Sequence, residues 1–166
     1  MKRCLCLGLV LVSTSAFAEP QIVTIPTQGW HLVVEAPPLT SSESTTVGGR
    51  FSYTGADGNS GITFSIHTED ARGGSHKECR DEYWKRTQAS PYIIKGSAEL
   101  FETPALLGVT YRSEGEYKGK RFALVNSHGY FVKNGKCVDL HVSQIPYSPE
   151  GIEAVERIVR TSKILQ

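Results

Sequence analysis

From Gln21 onward, apolar residues recur mostly at every second position, the rhythm of strands with one buried and one wet face. Gln21–Ile25 is a short β-branched run. Trp30–Glu35 alternates, with Trp30, Leu32 and Val34 on one face, and Pro37-Pro38 stops it. Residues 39–49 are polar, end in two glycines and read as a loop. Arg50–Thr54 and Gly61–Thr68 flank an Asp57-Gly58 turn signal. They predict a hairpin whose second arm sets Ile62, Phe64 and Ile66 against Thr63, Ser65 and His67. Further strands are predicted over Tyr92–Phe101, Leu106–Tyr117 and Lys120–Asn126. The best local signal follows. Tyr130–Lys133 and Lys136–Val142 are joined by Asn134-Gly135, a pair that tolerates the positive φ angles of a two-residue turn.

Two stretches change period. Ser75–Gln88 opens on a capping box, Ser75 with Glu78, and lines Cys79, Tyr83 and Arg86 along one helical face before Ser90-Pro91 ends it. Residues 149–162 carry Ile152, Val155, Ile158 and Val159 as a helical stripe. Ser148 is a natural N-cap, Pro149 suits the first turn, and Glu150 sits at the positive end of the dipole, with Arg157, Arg160 and Lys163 towards the negative end. In the strand before this helix, Val138, Leu140 and Val142 face one way and Cys137, Asp139 and His141 the other. If the last helix covers the first set, a bond between Cys137 and Cys79 draws the earlier helix onto the opposite face. The expected fold class is α+β, an antiparallel sheet of about six or seven strands with a helix on each face.

The first residues follow a different pattern. Met1-Lys2-Arg3 is basic, Cys4–Val12 is an unbroken apolar run, and Ala16-Phe17-Ala18 is the small-x-small pattern that a signal peptidase accepts. The run is far shorter than the roughly 20 residues that cross a bilayer. Residues 1–18 are therefore expected to be a cleaved secretory signal and residues 19–166 a single domain, periplasmic or secreted, with no transmembrane anchor. Cys4 and Cys6 lie too early for lipidation at the cleavage site. Without the signal, acids and bases balance to within one, against a formal charge of +1 for the whole chain. At 39% hydrophobic and 21% charged, the chain has the composition of a folded protein. Near-neutrality argues against a dedicated nucleic-acid binder.

Cleavage leaves two cysteines, Cys79 and Cys137, in an oxidising compartment where disulfides persist. Closing a loop of about 58 residues contributes about 4 kcal/mol in the chain-entropy picture. The alternatives are a catalytic thiol or a Cys2His2 zinc site with His76 and His141, which lie near the two cysteines. The expectation is the disulfide, with no metal and no cofactor.

The run Ile25-Pro26 to Gly29-Trp30 leading into an alternating strand has a counterpart near the other end. There, Tyr130-Phe131-Val132 and Cys137-Val138-Asp139-Leu140-His141-Val142-Ser143 lead through a short loop into helix 149–162. In this rhythm the chain resembles the PsbP-like superfamily, which includes an extrinsic photosystem protein, a yeast Ran-binding import factor and many exported bacterial proteins. The resemblance spans roughly residues 21–165 and implies an α/β/α sandwich. It supplies no shared catalytic residues, and it implies interaction rather than chemistry.

The candidate chemistry is sparse. Asp139 and His141 share a strand face and suit a carboxylate–imidazole pair, with Ser143 next along it, but no sharp nucleophile turn is present. Asp57-Gly58-Asn59 starts like a calcium loop and then lacks the glycine and the bidentate glutamate that such a loop needs. Gly48-Gly49 and Gly73-Gly74 lack a phosphate-loop lysine, though Gly73-Gly74 precede a capped helix where a weak anion contact is conceivable. Lys118, Lys120 and Arg121, with Lys133 and Lys136, are read as a basic edge near two turns. Tyr83 and Trp84 are neighbours on the first helix and are not expected to turn inward together, which makes them contact candidates. The expected function is that of an exported, non-catalytic protein acting on a protein partner through a sheet edge or helix face. An immunity or accessory protein of a secretion system is one version that the resemblance permits. The rival expectation is a small periplasmic hydrolase using His141 and Asp139.

Overall fold

A computed structural model of the chain describes residues 19–26 and 28–166. The predicted export signal, residues 1–18, lies outside the described residues. In order, the described elements are β1 (Glu19–Ile25), β2 (Trp30–Ala36), β3 (Ser41–Val47), β4 (Arg50–Asp57), β5 (Ile62–Asp70), α1 (His76–Thr87), β6 (Glu99–Glu102), β7 (Leu107–Tyr117), β8 (Lys120–Lys133), β9 (Lys136–Gln144), α2 (Pro149–Arg160) and β10 (Lys163–Leu165).

Three two-residue turns set the register of a seven-stranded sheet ordered β3-β4-β5-β9-β8-β7-β6, in which every paired strand is antiparallel. Gly48-Gly49, Lys118-Gly119 and Asn134-Gly135 all hold positive φ and pair Val47 with Arg50, Tyr117 with Lys120, and Lys133 with Lys136. This backbone twist matches that of the flanking strands. The hairpin expected at Asn134-Gly135 is present, together with two more of its kind.

A second sheet, β1-β2-β10, corrects the expectation of a single sheet. Alternation shows that Trp30, Leu32 and Val34 are buried, but it does not say which sheet their strand joins. These residues share one core with Phe64 and Ile66 of β5, Phe131 of β8, Val138, Leu140 and Val142 of β9, and Val155, Ile158 and Val159 of α2. Trp30 meets Phe131 edge-on with ring centres 5.7 Å apart. The α2 stripe therefore packs with the apolar face of β9, as the sequence predicts. Gly129 of β8 keeps this contact close, because a Cβ there would come within 2.8 Å of the Val159 and Leu106 side chains.

A smaller cluster gathers Cys79 of α1, Val109 and Tyr111 of β7, Tyr130 of β8 and Cys137 of β9, with Tyr83 and Trp84 packed against it. Cys79 and Cys137 are joined as a disulfide, with Cα atoms 5.6 Å apart. Both sulfurs are thereby committed, which overturns the zinc and catalytic-thiol alternatives. Ser75 caps α1 in the predicted box, its Oγ accepting from the Glu78 N–H while Glu78 accepts from the Ser75 N–H.

Three strand expectations need correction. Residues 41–47 form β3 rather than a loop. Both its faces are exposed, so no buried period marks it. The predicted strand over Tyr92–Phe101 contracts to β6 plus a lone bridge from Ile93 to Ser113, with Gly96 at positive φ between them. Conversely, Lys120–Asn126 and Tyr130–Lys133 are one strand of 14 residues, β8, because the intervening Ser127 and His128 are buried as polar side chains with partners.

Candidate functional site

Strand alternation puts Asp139 and His141 of β9 on one face with Asn126, His128 and Tyr130 of β8 and with Tyr111 and Ser113 of β7. This is the face that carries Cys137. The expected Asp139–His141 pair does not form a hydrogen bond. Instead, His128 Nδ1–H donates to Asp139 Oδ1 at 2.8 Å, and the Tyr111 hydroxyl donates to His128 Nε2 at 3.1 Å. His141 lies face to face with His128, ring centres 4.1 Å apart and planes within 7°. Its Nε2–H donates to Asn126 Oδ1 at 2.9 Å, and Asn126 Nδ2 donates to Ser113 Oγ at 3.2 Å. Ser143, the possible nucleophile, pairs with Thr63 at 2.8 Å and not with either histidine.

The network is sealed by aromatic rings. Tyr111 and Tyr130 stack on His128 at 5.7 and 5.5 Å, while Tyr83 and Trp84 of α1 pack on Tyr130 and Tyr111 at 5.7 and 5.3 Å. The expectation that Tyr83 and Trp84 cannot both turn inward is thus corrected. The helix straddles two rows of rings on a broad sheet, so neighbouring residues reach one row each, and both remain half-buried. Arg86 lies over the outer face of Tyr83, 4.4 Å from its centre, and is held by Glu69 at 2.7 Å.

Burial favours the neutral form of every group here, and the neighbours decide which groups keep a charge. Burial opposes the Asp139 carboxylate. The imidazoles of His128, His141 and His67 outweigh it and hold the group below the ordinary carboxylate range. Burial, reinforced by His128, pushes His141 down to about 3, with Asp139 only partly opposing. Tyr111 and Tyr130 are raised well above the ordinary phenol, by burial first and then by the charge of Asp139.

Carboxylate, imidazole and hydroxyl stand in the order of a proton relay. The hydroxyl at its end is a buried tyrosine that resists ionisation. The groove of about 690 Å³ beside α1 is lined by Thr45, Arg50, Ser52, His67, Glu69 and Tyr83, and it includes none of Asp139, His128 or His141. The register puts Glu43, Thr45, Ser52, Thr54, Ser65 and His67 on the same face as the network, on the β3–β4–β5 side of the sheet.

The remaining candidates separate. Lys118, Lys120 and Arg121 are exposed at the β7–β8 tip, whereas Lys133 and Lys136 are at the β8–β9 tip. Because β8 connects the two tips, they are about 40 Å apart, and the expected single basic edge does not exist. Lys136 is instead paired with Asp70 at 2.6 Å. Asp57 accepts from the Asn59 and Ser60 N–H groups and serves its own turn. Among the described residues, no group of three or more His, Cys, Asp or Glu is placed to hold a metal ion. No described helix is long and apolar enough to cross a membrane. Sequence reasoning missed His128, Tyr111 and Asn126. Their signal was the alternation Asn126, His128, Tyr130, which only a continuous β8 reveals.

No family model matches the chain, and no curated protein matches it. Among solved structures, it is similar to LpqN of Mycobacterium tuberculosis, a protein involved in cell envelope biogenesis, with 11% identity and a TM-score of 0.44 over 90% of this chain and 86% of that one. A Bacteroides thetaiotaomicron structure gives 12% identity and a TM-score of 0.46 over 81% of this chain, which spans 45% of that structure's length. Likeness at this level transfers neither fold nor function. The described residues define a class: a disulfide-joined α+β fold in which they form two antiparallel sheets and two helices, with a polar network buried beside α1.

Proposed function

We propose that the chain is an exported, non-catalytic protein that binds another macromolecule, layered as an α/β/α sandwich of the PsbP-like kind. One observation carries the reading. Asp139, His128 and Tyr111 are consumed by one another beside α1, while the adjoining groove between β3–β5 and α1 stays open around Arg50, the Arg86-paired Glu69, and a Ser52–His67 pair bonded at 3.1 Å that no carboxylate hydrogen-bonds among the described residues. Buried polar networks of this kind rigidify a scaffold, and grooves of mixed charge and hydroxyl groups accept polar protein surfaces. The exposed cations Lys118, Lys120 and Arg121, beside the exposed Glu114 and Glu116, give the β7–β8 tip a second, charged contact surface.

The test is affinity capture from an envelope extract with the oxidised protein as bait, compared with an Arg50→Glu, Ser52→Trp variant. A stoichiometric partner that the variant loses is the expected result. Turnover of generic ester, phosphate or peptidoglycan substrates by the wild type, abolished in His128→Ala or His141→Ala, overturns the reading in favour of a hydrolase.

A further inference from the structure

Sheet edges normally carry some guard against pairing with another chain, such as a proline, a charge, a bulge or simple shortness. Among the described residues, proline or shortness guards three of the four edges. β1 contains Pro20, β10 has three residues, and β6 has four and is flanked by Glu99 and Glu102. β3 is the exception. Its seven residues, Ser41-Ser42-Glu43-Ser44-Thr45-Thr46-Val47, contain no proline or lysine and a single charge, and all are exposed. It pairs with β4 alone.

The turn fixes which of its backbone groups are free. In a two-residue hairpin the residues flanking the turn exchange hydrogen bonds, so Val47 and every second residue before it direct N–H and C=O towards β4. Ser42, Ser44 and Thr46 direct theirs outward. We propose that this edge is a self-pairing site. Two copies of the chain join antiparallel along β3 about a two-fold axis at Ser44, making one sheet continuous through both.

The register is self-complementary. Ser44 faces its own copy, Ser42 faces Thr46, Glu43 faces Thr45 and Ser41 faces Val47. The three outward-bonding positions become paired, hydroxyl side chains oppose hydroxyl side chains, and the sole charge meets a neutral residue. A one-residue shift in pairing brings in-pointing groups of one copy against out-pointing groups of the other. A shift of two about the neighbouring axis sets Glu43 against Glu43. The other neighbouring axis, at Thr45, sets Ser41 and Ser42 against the Gly48-Gly49 turn, so the Ser44 axis alone pairs all seven residues without opposing Glu43 to itself. An edge contact buries less than the roughly 1,200 Å² of a standard stable interface, so the dimer is concentration-dependent.

The test uses sedimentation velocity on the purified, oxidised protein from about 10 µM to about 1 mM, a span that covers weak associations. The expected result is a monomer–dimer equilibrium within that span, weakened at least about tenfold by Ser44→Pro, which removes an outward N–H that β4 does not use. Ser44→Cys is expected to form a disulfide-linked dimer on mild oxidation, because facing residues sit about 5.5 Å apart. Ser42→Cys, about 14 Å from its own copy in this register, is not. A monomer at every concentration overturns the proposal. So does an undiminished dimer in a Ser44→Pro protein with native circular dichroism, or equal cross-linking of the two cysteine variants. If Ser44→Pro fails to fold, the cysteine pair decides alone. The proposal is independent of the partner-binding reading, since affinity capture succeeds or fails whatever the self-association.

Discussion

Burial and the neighbouring His128 disfavour a second proton on His141. Nε2 is occupied with Asn126, the ring lies flat on His128, and burial together with that neighbour brings its pKa to about 3. In the unfolded chain the ring returns to its ordinary value of about 6.5. Between those two pH values the unfolded state binds a proton that the folded state refuses. This share of the stability is therefore whole above about pH 6.5 and drains away as the pH falls towards about 3. Asp139, held below the ordinary carboxylate range, adds a share that is present above about pH 4 and lost on further acidification. We expect the melting temperature to drop steeply between pH 7 and pH 4 in the wild type and less steeply in His141→Gln. Parallel curves would count against this account. At this scale, Asp139 and His141 were legible as residues of one strand face. Their real partners, His128 and Asn126, were not, because a break read into β8 hid the alternation that aligns them.

Both helices announce their ends in their own residues, which is why their spans were predicted to within a residue or two. Ser148 Oγ accepts the Gly151 N–H at 3.0 Å, and Ser75 with Glu78 closes the box on α1. Replacing Ser148 with Ala is expected to cost about 1 kcal/mol, read as a lower urea midpoint with an unchanged slope. A changed slope would instead mean that α2 had detached. Strand ends are marked locally only where a proline pair or a glycine turn falls, as at Pro37-Pro38 and Asn134-Gly135. β3 escaped notice because neither of its faces is buried, and β10, three residues long, is too short to carry a period. The Gly48-Gly49 pair was the available clue, of the same chemistry as the Asn134-Gly135 turn that was recognised.

At the scale of the whole molecule, the disulfide is what fixes α1 to the sheet. Cys79 is its sole fully buried residue, so its seat depends on the bond to Cys137 and on the half-buried rings of Tyr83 and Trp84. Reduction should lower stability by about 4 kcal/mol, a fall of roughly 10 °C in melting temperature for a chain of this size. It should also change the fluorescence of Trp84, which packs on Tyr111. An identical melt with and without dithiol would refute this. The cysteine pairing was readable from the expected compartment and the count, but the division of strands between two sheets was not. Hydrophobic alternation reports that a face is covered without reporting by what.

That same bond closes a covalent ring around everything between residues 79 and 137, including β6, β7, β8 and the exposed Lys118-Gly119 tip. A protease that clips the backbone anywhere inside the ring severs a peptide without releasing a fragment. The two halves remain stitched by sulfur and interleaved through the ladder, so that nicking at the tip is survivable wear for as long as the sulfurs stay oxidised.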